Sequence, residues 1–173
     1  MRILWNTRYG AGDEKIGAIT GKGAKEGKKI KKKFLEALPQ LNKLITGVKN
    51  KIKQKGYLLG IDKRRLKVRE QYKGLNVLLQ SAGAIVMKKA LCILYDDCVS
   101  KGWIKDRYYL SEDNKVYFVL NIHDEYQAEV KPEIAEEYKI TAVEAIRKAG
   151  EYFNMRCPLT GEAKEGNNWY ETH

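Results

Sequence analysis

The strongest constraint on the fold is an apolar run that ends abruptly at three ionisable residues. Residues 116–122 read VYFVLNI, and His123, Asp124 and Glu125 follow at once. The residues after them alternate apolar with polar side chains, in the order Tyr126, Gln127, Ala128, Glu129 and Val130. This alternation is typical of a strand with one core face and one polar face. Two strands separated by two residues predict an antiparallel hairpin with His123 and Asp124 at its turn, although no glycine is present to supply the usual turn geometry.

The first of these strands is expected to be covered on both faces. Alternation assigns one face to Val116, Phe118 and Leu120. It assigns the other face to Tyr117, Val119 and Asn121. Because both sets are mostly apolar, the pattern favours a strand that lies between two layers of the protein.

The carboxylates of the turn are candidate metal ligands. Neighbouring residues of a strand point to opposite sides, so Asp124 and Glu125 cannot both bind one ion unless the turn re-aims one of them. One carboxylate would be the principal ligand of a hard cation such as magnesium, with water and substrate phosphates as further ligands. The alternative is an exposed acidic turn, because aspartate is common in turns. The segment by itself leaves both interpretations open.

The positive charge of the chain is concentrated in one region. The net charge is +11 over 173 residues, yet residues 22–69 hold 17 Lys or Arg against three acidic residues. This segment therefore carries +14, and the remainder of the chain carries −3. A basic region beside an acidic remainder suits a polyanion, since the release of counterions from nucleic acid favours binding without sequence preference. A solvated lysine-rich helical face is the alternative.

Helices and a second hairpin are predicted around this basic region. An apolar stripe with four-residue spacing (Ile30, Phe34, Leu38) predicts one helix, and Pro39 ends it and begins another. The inward side chains of the second helix are expected to be Leu41, Leu44, Ile45 and Val48. The next predicted element is a basic hairpin that turns at Asp62-Lys63-Arg64. Two helices complete the pattern: a long, mostly buried one over 75–102 that stops at Gly102, and one that begins at Pro132 and ends at Gly150.

Composition favours a soluble protein in a reducing compartment. The three cysteines have no CxxC spacing, so neither a disulfide framework nor a zinc site is indicated. No uninterrupted apolar run approaches the roughly 18 to 20 residues needed to span a bilayer. We therefore expect no membrane partner and a cytoplasmic location.

Several segments resemble the family-A DNA polymerases, the DNA polymerase I family. IHDE after an apolar strand (122–125) resembles the third signature motif of that family, a His-Asp-Glu hairpin in the palm. YGAGDEKIG (9–17) resembles the end of the fingers-helix motif. KRRLKVRE (63–70) and LNVLLQSAGA (75–84) resemble the palm segment that follows the minor groove of the primer-template. NNWYETH (167–173) is similar to the end of bacteriophage replicative polymerases, so the resemblance covers nearly the whole chain.

The resemblance implies an α+β fold built as the C-terminal part of a polymerase palm. The antiparallel hairpin with the His-Asp-Glu motif would pack on helices. Residues 1–55 would form the end of the fingers with the basic helices, and residues 56–173 would form the C-terminal half of the palm.

The resemblance also implies roles for individual residues at a two-metal site. Asp124 would be one of two aspartates that hold a pair of Mg²⁺ ions, His123 would lie by the primer terminus, and Glu125 would be an accessory acid. The two metals would activate the 3′ hydroxyl and neutralise charge on the transferring phosphate.

The implied DNA contacts lie in two segments. Tyr9 would stack near the templating base. The remaining contacts form two sets: the minor-groove residues Arg69, Asn76 and Gln80, and the basic residues Lys63, Arg64 and Arg65. In a helix Asn76 and Gln80 share a face, which suits one groove-contacting surface.

Parts of the family pattern have no counterpart in the 173 residues. The second metal-binding aspartate and the Arg and Lys that grip the phosphates of the nucleotide are both missing. The chain is therefore expected to be inactive alone and to act as part of a larger or split DNA-directed DNA polymerase. Its expected partners are primer-template DNA, deoxynucleoside triphosphates and an upstream polymerase fragment. The alternatives are a non-catalytic DNA-binding module and an inactive remnant of an interrupted gene.

Overall fold

The structure is a computed structural model that describes residues 12–108 and 111–172. Its α-helices are α1 Asp13–Ile19, α2 Ala24–Ala37, α3 Pro39–Lys55, α4 Gly74–Ser100, α5 Ala135–Tyr152 and α6 Trp169–Thr172. Its strands are β1 Tyr57–Leu59, β2 Arg65–Lys67, β3 Val116–Ile122 and β4 Glu125–Val130. Short 3₁₀ turns at Gln71–Lys73 and Pro132–Ile134 lead into α4 and α5.

The contacts divide the chain into two compact units within α4. The first unit extends to Ala82 and the second begins at Gly83. The predicted division into the end of the fingers and half of the palm is a division by function, and it stays a prediction.

Helices and the small basic hairpin make up the first unit. Pro39 begins α3, where a missing N–H is not needed for helical hydrogen bonding. Gly56 ends the helix with a φ of 73°, a left-handed conformation that glycine adopts without steric cost. The buried side chains at its centre are those of Val48, Ile52, Leu58 and Val68.

The predicted inward face of α3 is wrong at one position. Leu44 was expected inside, but it is 48% exposed. The buried pair is Val48 and Ile52, and Leu44 lies one turn before Val48 on the same stripe, so its exposure shows that the described residues do not cover the helix at that turn. Leu44 therefore belongs to the surface of the first unit.

The predicted basic hairpin is confirmed as β1 and β2. The strands pair antiparallel, with Leu58 opposite Leu66. Lys63 turns the chain with a φ of 66°, and its N–H bonds the Gly60 carbonyl at 3.0 Å. The apolar side of the hairpin joins the core of the first unit, while Arg65 and Lys67 face solvent.

Helix α4 ends as predicted but is not mostly buried. Gly102 has a φ of 69°, and the N–H of Trp103 bonds the Cys98 carbonyl at 2.9 Å, which closes the last turn. In the most apolar 18-residue window of this helix, 17% of the residues are buried. In the second unit its buried residues repeat every four positions, at Val86, Ala90, Leu94 and Cys98. Such a stripe covers one face of a helix and leaves the rest exposed.

The same helix is long and apolar enough to be compared with a membrane span. By length and composition, Gln71–Ser100 could cross a bilayer. The reason is that Lys88 and Lys89 are its only charged residues between positions 75 and 95. A single helix of this kind is a weak indication, because helices of soluble proteins can pass the same test.

The core of the second unit lies between the inner face of the β3–β4 hairpin, α4 and α5. Leu94, Cys98, Trp103, Val116 and Ala145 are among its buried residues. Phe118, Tyr126, Ala128 and Val130 pack against them from the hairpin, which confirms the predicted apolar face of the second strand.

The predicted end of the helix after the hairpin, at Gly150, is wrong. Helix α5 continues to Tyr152, and the left-handed residue beyond it is Asn154, with a φ of 52°. Gly150 is buried within the helix, where an added Cβ would lie 2.9 Å from Leu159 Cγ. Close packing rather than helix termination explains this glycine.

Candidate functional site

The His-Asp-Glu hairpin has the predicted two-residue turn. Ile122 pairs with Glu125, so His123 and Asp124 form the tip. His123 has a φ of 52°, and it supplies the left-handed conformation for which no glycine is available. Both tip residues are exposed. The turn therefore presents an imidazole and a carboxylate to solvent at the end of a rigid hairpin.

A β-bulge changes which side chains share a face of the hairpin. Phe118 pairs with Ala128, but Leu120 pairs with Gln127, so the register shifts around Val119. Because Ala128 and Gln127 point to opposite faces, Phe118 and Leu120 do so as well. The predicted grouping of Leu120 with Phe118 is therefore wrong.

The expectation that the first strand is covered on both faces is also wrong. Val119 is 58% exposed, and Leu120 and Ile122 are each 41% exposed. The described residues cover the face with Phe118 and leave these three side chains at the surface. An apolar composition indicates that a strand can be buried, but the neighbours available decide whether it is.

Glu125 is held differently from Asp124. Its Oε1 accepts a hydrogen bond of 2.6 Å from the side-chain amide of Gln127, two residues along the same face of β4. Glu125 is half-buried, whereas Asp124 is exposed. The two carboxylates thus have different surroundings, and Asp124 is the one open to a ligand.

The described part of the chain holds no complete metal site. Within residues 12–108 and 111–172, no group of three or more His, Cys, Asp or Glu side chains could hold a metal ion. A hard cation commonly takes one or two carboxylates together with water and phosphate oxygens, so Asp124 fits as one ligand of a site completed by other groups.

Tyr126 anchors the hairpin to the helix beneath it. Its hydroxyl donates a hydrogen bond of 3.1 Å to the carbonyl oxygen of Ala142 in α5. Burial, with a smaller contribution from Cys98, raises the pKa of Tyr126 to about 12. The phenol is therefore neutral and able to donate at any physiological pH, and it fixes the tip end of the hairpin, two residues from Asp124.

Asn114 fixes the start of the hairpin, a role that sequence reasoning missed. It is fully buried. Its Oδ1 accepts hydrogen bonds from the N–H groups of Lys105 and Asp106, at 2.8 and 3.0 Å. Its Nδ2 donates to the Asp106 carbonyl at 2.8 Å. The residues SEDNK read as an ordinary polar loop, so the sequence carries no signal that distinguishes Asn114.

The predicted basic residues lie on the hairpin of the first unit. Asp62 forms an ion pair with Arg64, and its Oδ1 accepts a hydrogen bond from the Arg64 N–H at 3.3 Å. The Arg65 guanidinium lies 4.9 Å from the centre of the Tyr57 ring. Lys63, Arg64 and Arg65 are all exposed, so the turn and the following strand present positive charge to solvent.

The predicted minor-groove residues lie at the start of α4 and just before it. Asn76 and Gln80 are one turn apart in this helix, as predicted. Gln80 and Arg69 are exposed, while Asn76 is half-buried and its Oδ1 has no hydrogen-bond partner among the described residues. Tyr9 lies outside the described residues. The DNA-contact roles of these four residues, and the roles of the hairpin residues, stay predictions.

Comparison with known proteins identifies the family. The profile of DNA polymerase family A matches residues 2–171. The DNA-directed DNA polymerase of Escherichia phage Phieco32 is 39% identical over 179 residues, which cover 99% of this chain and 27% of that protein. The corresponding enzymes of Enterobacteria phage T3 and Escherichia phage T7 are 37% and 36% identical, each over 99% of this chain and 26% of the relative. The chain thus spans about a quarter of the length of these relatives.

A solved structure supports the fold. The polymerase domain of Pol1 from M. smegmatis, in complex with DNA primer-template and dNTP, matches with a TM-score of 0.72. The match covers 86% of this chain and 26% of that chain at 16% sequence identity. The helices and small antiparallel hairpins of this chain thus have a fold similar to part of that polymerase domain. The chain belongs to DNA polymerase family A, and its phage relatives are DNA-directed DNA polymerases.

Proposed function

We propose that the chain contributes the Asp124 hairpin to a DNA-directed DNA polymerase that replicates DNA and needs an upstream polypeptide for activity. The observation that carries the proposal is the exposed tip of the β3–β4 hairpin, with His123 in the left-handed conformation and Asp124 beside it. The family membership supports nucleotidyl transfer as the reaction. The relatives are about four times as long, which supports a contribution from further polypeptide.

Asp124 would hold one or both Mg²⁺ ions of the reaction. When bound, the metals supply charge neutralisation at the transferring phosphate and activation of the attacking hydroxyl. Asp124 suits this role because its carboxylate is exposed, whereas Glu125 is engaged by Gln127. His123 would orient the primer end, and Glu125 would act as an accessory acid beside Asp124. A second aspartate from the upstream polypeptide would complete the site.

DNA would lie along the basic first unit. The exposed positive charge at Lys63, Arg64 and Arg65 suits phosphate contacts, which position DNA without reading its sequence. Arg69, Asn76 and Gln80 would contact the minor groove, where all correct base pairs share acceptor positions. Tyr9 would stack near the templating base. Deoxynucleoside triphosphates would be gripped mainly by the upstream polypeptide.

Reconstitution tests the proposal. The 173-residue chain is mixed with a polypeptide that contains the preceding palm and fingers segments of a family-A phage polymerase, and primer extension is followed on a gel. We expect magnesium-dependent extension from the mixture and from neither component alone. The variant Asp124→Ala should lower the rate by at least about a hundredfold, because one metal carboxylate is lost.

The matched control is Glu129→Ala. Glu129 is also exposed and lies on the same hairpin, in β4, so its removal makes the same change in charge. The mixture that contains the Glu129→Ala variant should extend the primer at the same rate as the mixture with the unaltered chain. Absence of extension from the mixture, with both components folded and bound to DNA, would refute the proposal.

A non-catalytic DNA-binding module is the second candidate, and the uneven charge favours it. With +14 in residues 22–69, the chain alone should bind primed DNA in a salt-sensitive manner. On this hypothesis Asp124→Ala has no effect on any activity of the chain. Binding without reconstituted extension would select this function, and the absence of both would leave an inactive remnant.

A further inference from the structure

The first unit has an open groove that is separate from the predicted DNA contacts. Its floor and walls come from α3, the first strand of the basic hairpin and the start of α4, through Lys43, Leu44, Gly47, Lys51, Leu59 and Leu78. We call this surface the leucine groove. The lining contains none of the predicted site residues.

Apolar side chains stand exposed in the leucine groove. Leu44 and Leu59 are each 48% exposed, above the buried side chains of Val48 and Leu58. Gly47 leaves the middle of the groove open, since a Cβ added there would meet no atom within 4 Å. An open apolar channel between two elements is the shape that accepts the apolar face of a helix or an extended peptide.

The rim of the leucine groove is positively charged and uncompensated. Lys43 and Lys51 are exposed and two helical turns apart, about 12 Å along the axis. Helix α3 contains five lysines and no acidic residue. Neither rim lysine forms an ion pair with an acid in the described ranges, 12–108 and 111–172, whereas in α2 Lys29 and Lys32 pair with Glu26 and Glu36. The rim therefore lacks counter-charges that the neighbouring helix has.

We propose that the leucine groove binds an acidic amphipathic segment of a partner protein. Its apolar side chains would cover Leu44 and Leu59, and its carboxylates would pair with Lys43 and Lys51. Charge complementarity of this kind selects the partner and speeds encounter, while the apolar contact supplies the lasting attraction.

Two other occupants fit the groove less well. Nucleic acid would place phosphates over an apolar floor, and the lining has no aromatic side chain on which a base could stack. A second copy of the chain that used the same surface would bring two lysine rims together, which like-charge repulsion disfavours.

Designed peptides test the proposal on the full 173-residue chain. The probe is a fluorescent 16-residue helix-forming peptide, with leucines spaced three and four apart and glutamates on either side. One control peptide has the same composition in scrambled order, and another has lysine in place of glutamate. Fluorescence anisotropy should show binding of the patterned acidic peptide only. Equal binding of the scrambled peptide, or no binding of the patterned one, would overturn the proposal.

Matched variants locate the binding site. Lys43→Glu with Lys51→Glu should raise the dissociation constant of the patterned peptide about tenfold or more. Lys49→Glu with Lys53→Glu makes the same charge change at exposed positions of α3 outside the groove, and it should alter the constant less than about threefold. Leu44→Ser should also weaken binding about tenfold, while Leu38→Ser, exposed at the helix junction, should not.

Two further results would decide against a peptide site. One is an equal loss of binding in the Lys49 and Lys53 variant, which would indicate diffuse charge attraction. The other is displacement of the peptide by primed DNA together with loss of DNA binding in Leu44→Ser, which would assign the groove to nucleic acid. Circular dichroism checks that each variant is folded, and Lys43→Gln with Lys51→Gln replaces the reversed-charge variant if that one unfolds.

Discussion

At the scale of single residues, the turn of the His-Asp-Glu hairpin contains a histidine in a conformation that favours glycine. The left-handed region costs a residue with a side chain about 1–2 kcal/mol, and His123 lies there with a φ of 52°. We therefore expect His123→Gly to raise the free energy of unfolding by about 1 kcal/mol. Urea denaturation followed by circular dichroism measures this difference.

A control separates the backbone effect of this change from its chemical effect. Asp124 does not have a positive φ, so Asp124→Gly should lower the free energy of unfolding. If His123→Gly is destabilising instead, the imidazole makes a stabilising contact that outweighs the strain. A stabilised His123→Gly with weakened primer extension would assign the imidazole to chemistry rather than to folding.

The anchoring tyrosine of the same hairpin predicts a dependence of stability on pH. Burial raises the pKa of Tyr126 to about 12, so the folded state favours the neutral phenol. The associated stability is complete below the ordinary tyrosine pKa of 10.0 and is lost as the pH rises from there toward 12. Burial also raises the pKa of Cys98, from 9.0 to about 12. This thiol therefore adds a second loss of stability with rising pH, which begins near the ordinary cysteine pKa of 9.0.

Tyr126→Phe tests this origin. The variant loses the hydrogen bond to Ala142, so its free energy of unfolding at pH 8 should fall by about 1 kcal/mol. Between pH 8 and pH 11 it should lose less stability than the unaltered chain, as measured by urea denaturation at both values. An unchanged loss would exclude Tyr126 as the titrating group. Tyr152→Phe, at a residue that is 62% exposed, is the control.

At the scale of elements, the sequence predicts those boundaries that a local signal determines. Pro39 and Gly102 mark ends of helices, and the spacing around His123 predicts the hairpin. Gly150 misleads because its small size serves packing against Leu159, a contact that no local pattern reveals.

The exposed apolar side chains at the end of β3 could not be predicted from the alternation of the sequence. The bulge near Val119 depends on how β3 pairs with β4, so alternation assigned Leu120 to the wrong face. The exposure of Leu120 and Ile122 depends on which other segments are present to cover them. A pattern describes what a strand can bury, whereas tertiary contacts decide what it does bury.

The loop before β3 depends on one buried amide. Asn114→Ala removes an acceptor of two backbone hydrogen bonds and a donor of one, and it leaves backbone groups of Lys105 and Asp106 without that partner. We expect the free energy of unfolding to fall by about 2–4 kcal/mol. Asp113→Ala, at an exposed neighbouring residue, should change it by less than about 0.5 kcal/mol. Thermal denaturation compares the two, and equal effects would contradict the role of Asn114.

Helices α1 and α2 approach each other through glycine. A Cβ added at Gly27 would clash with the Asp13 carbonyl oxygen, a backbone atom that cannot move aside without shifting the helix. Gly27→Ala should therefore destabilise the first unit by about 2 kcal/mol or more. Gly47→Ala, in the open middle of α3, should stabilise it by about 0.5–1 kcal/mol. Urea denaturation of both variants measures these changes in the free energy of unfolding. If Gly27→Ala left this free energy unchanged, the two helices could separate at no cost.

At the scale of the whole molecule, charge is divided between two parts of one chain. The basic part includes the predicted DNA contacts at Lys63, Arg64 and Arg65, while the remainder is slightly acidic and holds Asp124. In the second unit, basic residues such as Lys101, Lys139 and Arg147 pair with glutamates. A polyanion should therefore be attracted to the first unit, and the acidic remainder should contribute little to that attraction.

This division predicts how DNA affinity depends on salt. Each phosphate contact adds about 0.9 to the slope of the logarithm of affinity against the logarithm of salt concentration. Replacing Lys63, Arg64 and Arg65 by alanine should lower the magnitude of the slope by up to about 3, as measured by fluorescence anisotropy with primed DNA between about 50 and 200 mM salt.

The control replaces Lys101, Lys139 and Arg147 by alanine, which makes the same change in net charge at residues already paired with glutamates. Equal slopes for the two triple variants would mean that DNA responds to the total charge of the chain, whereas a change confined to the first variant would locate the phosphate contacts on the basic hairpin.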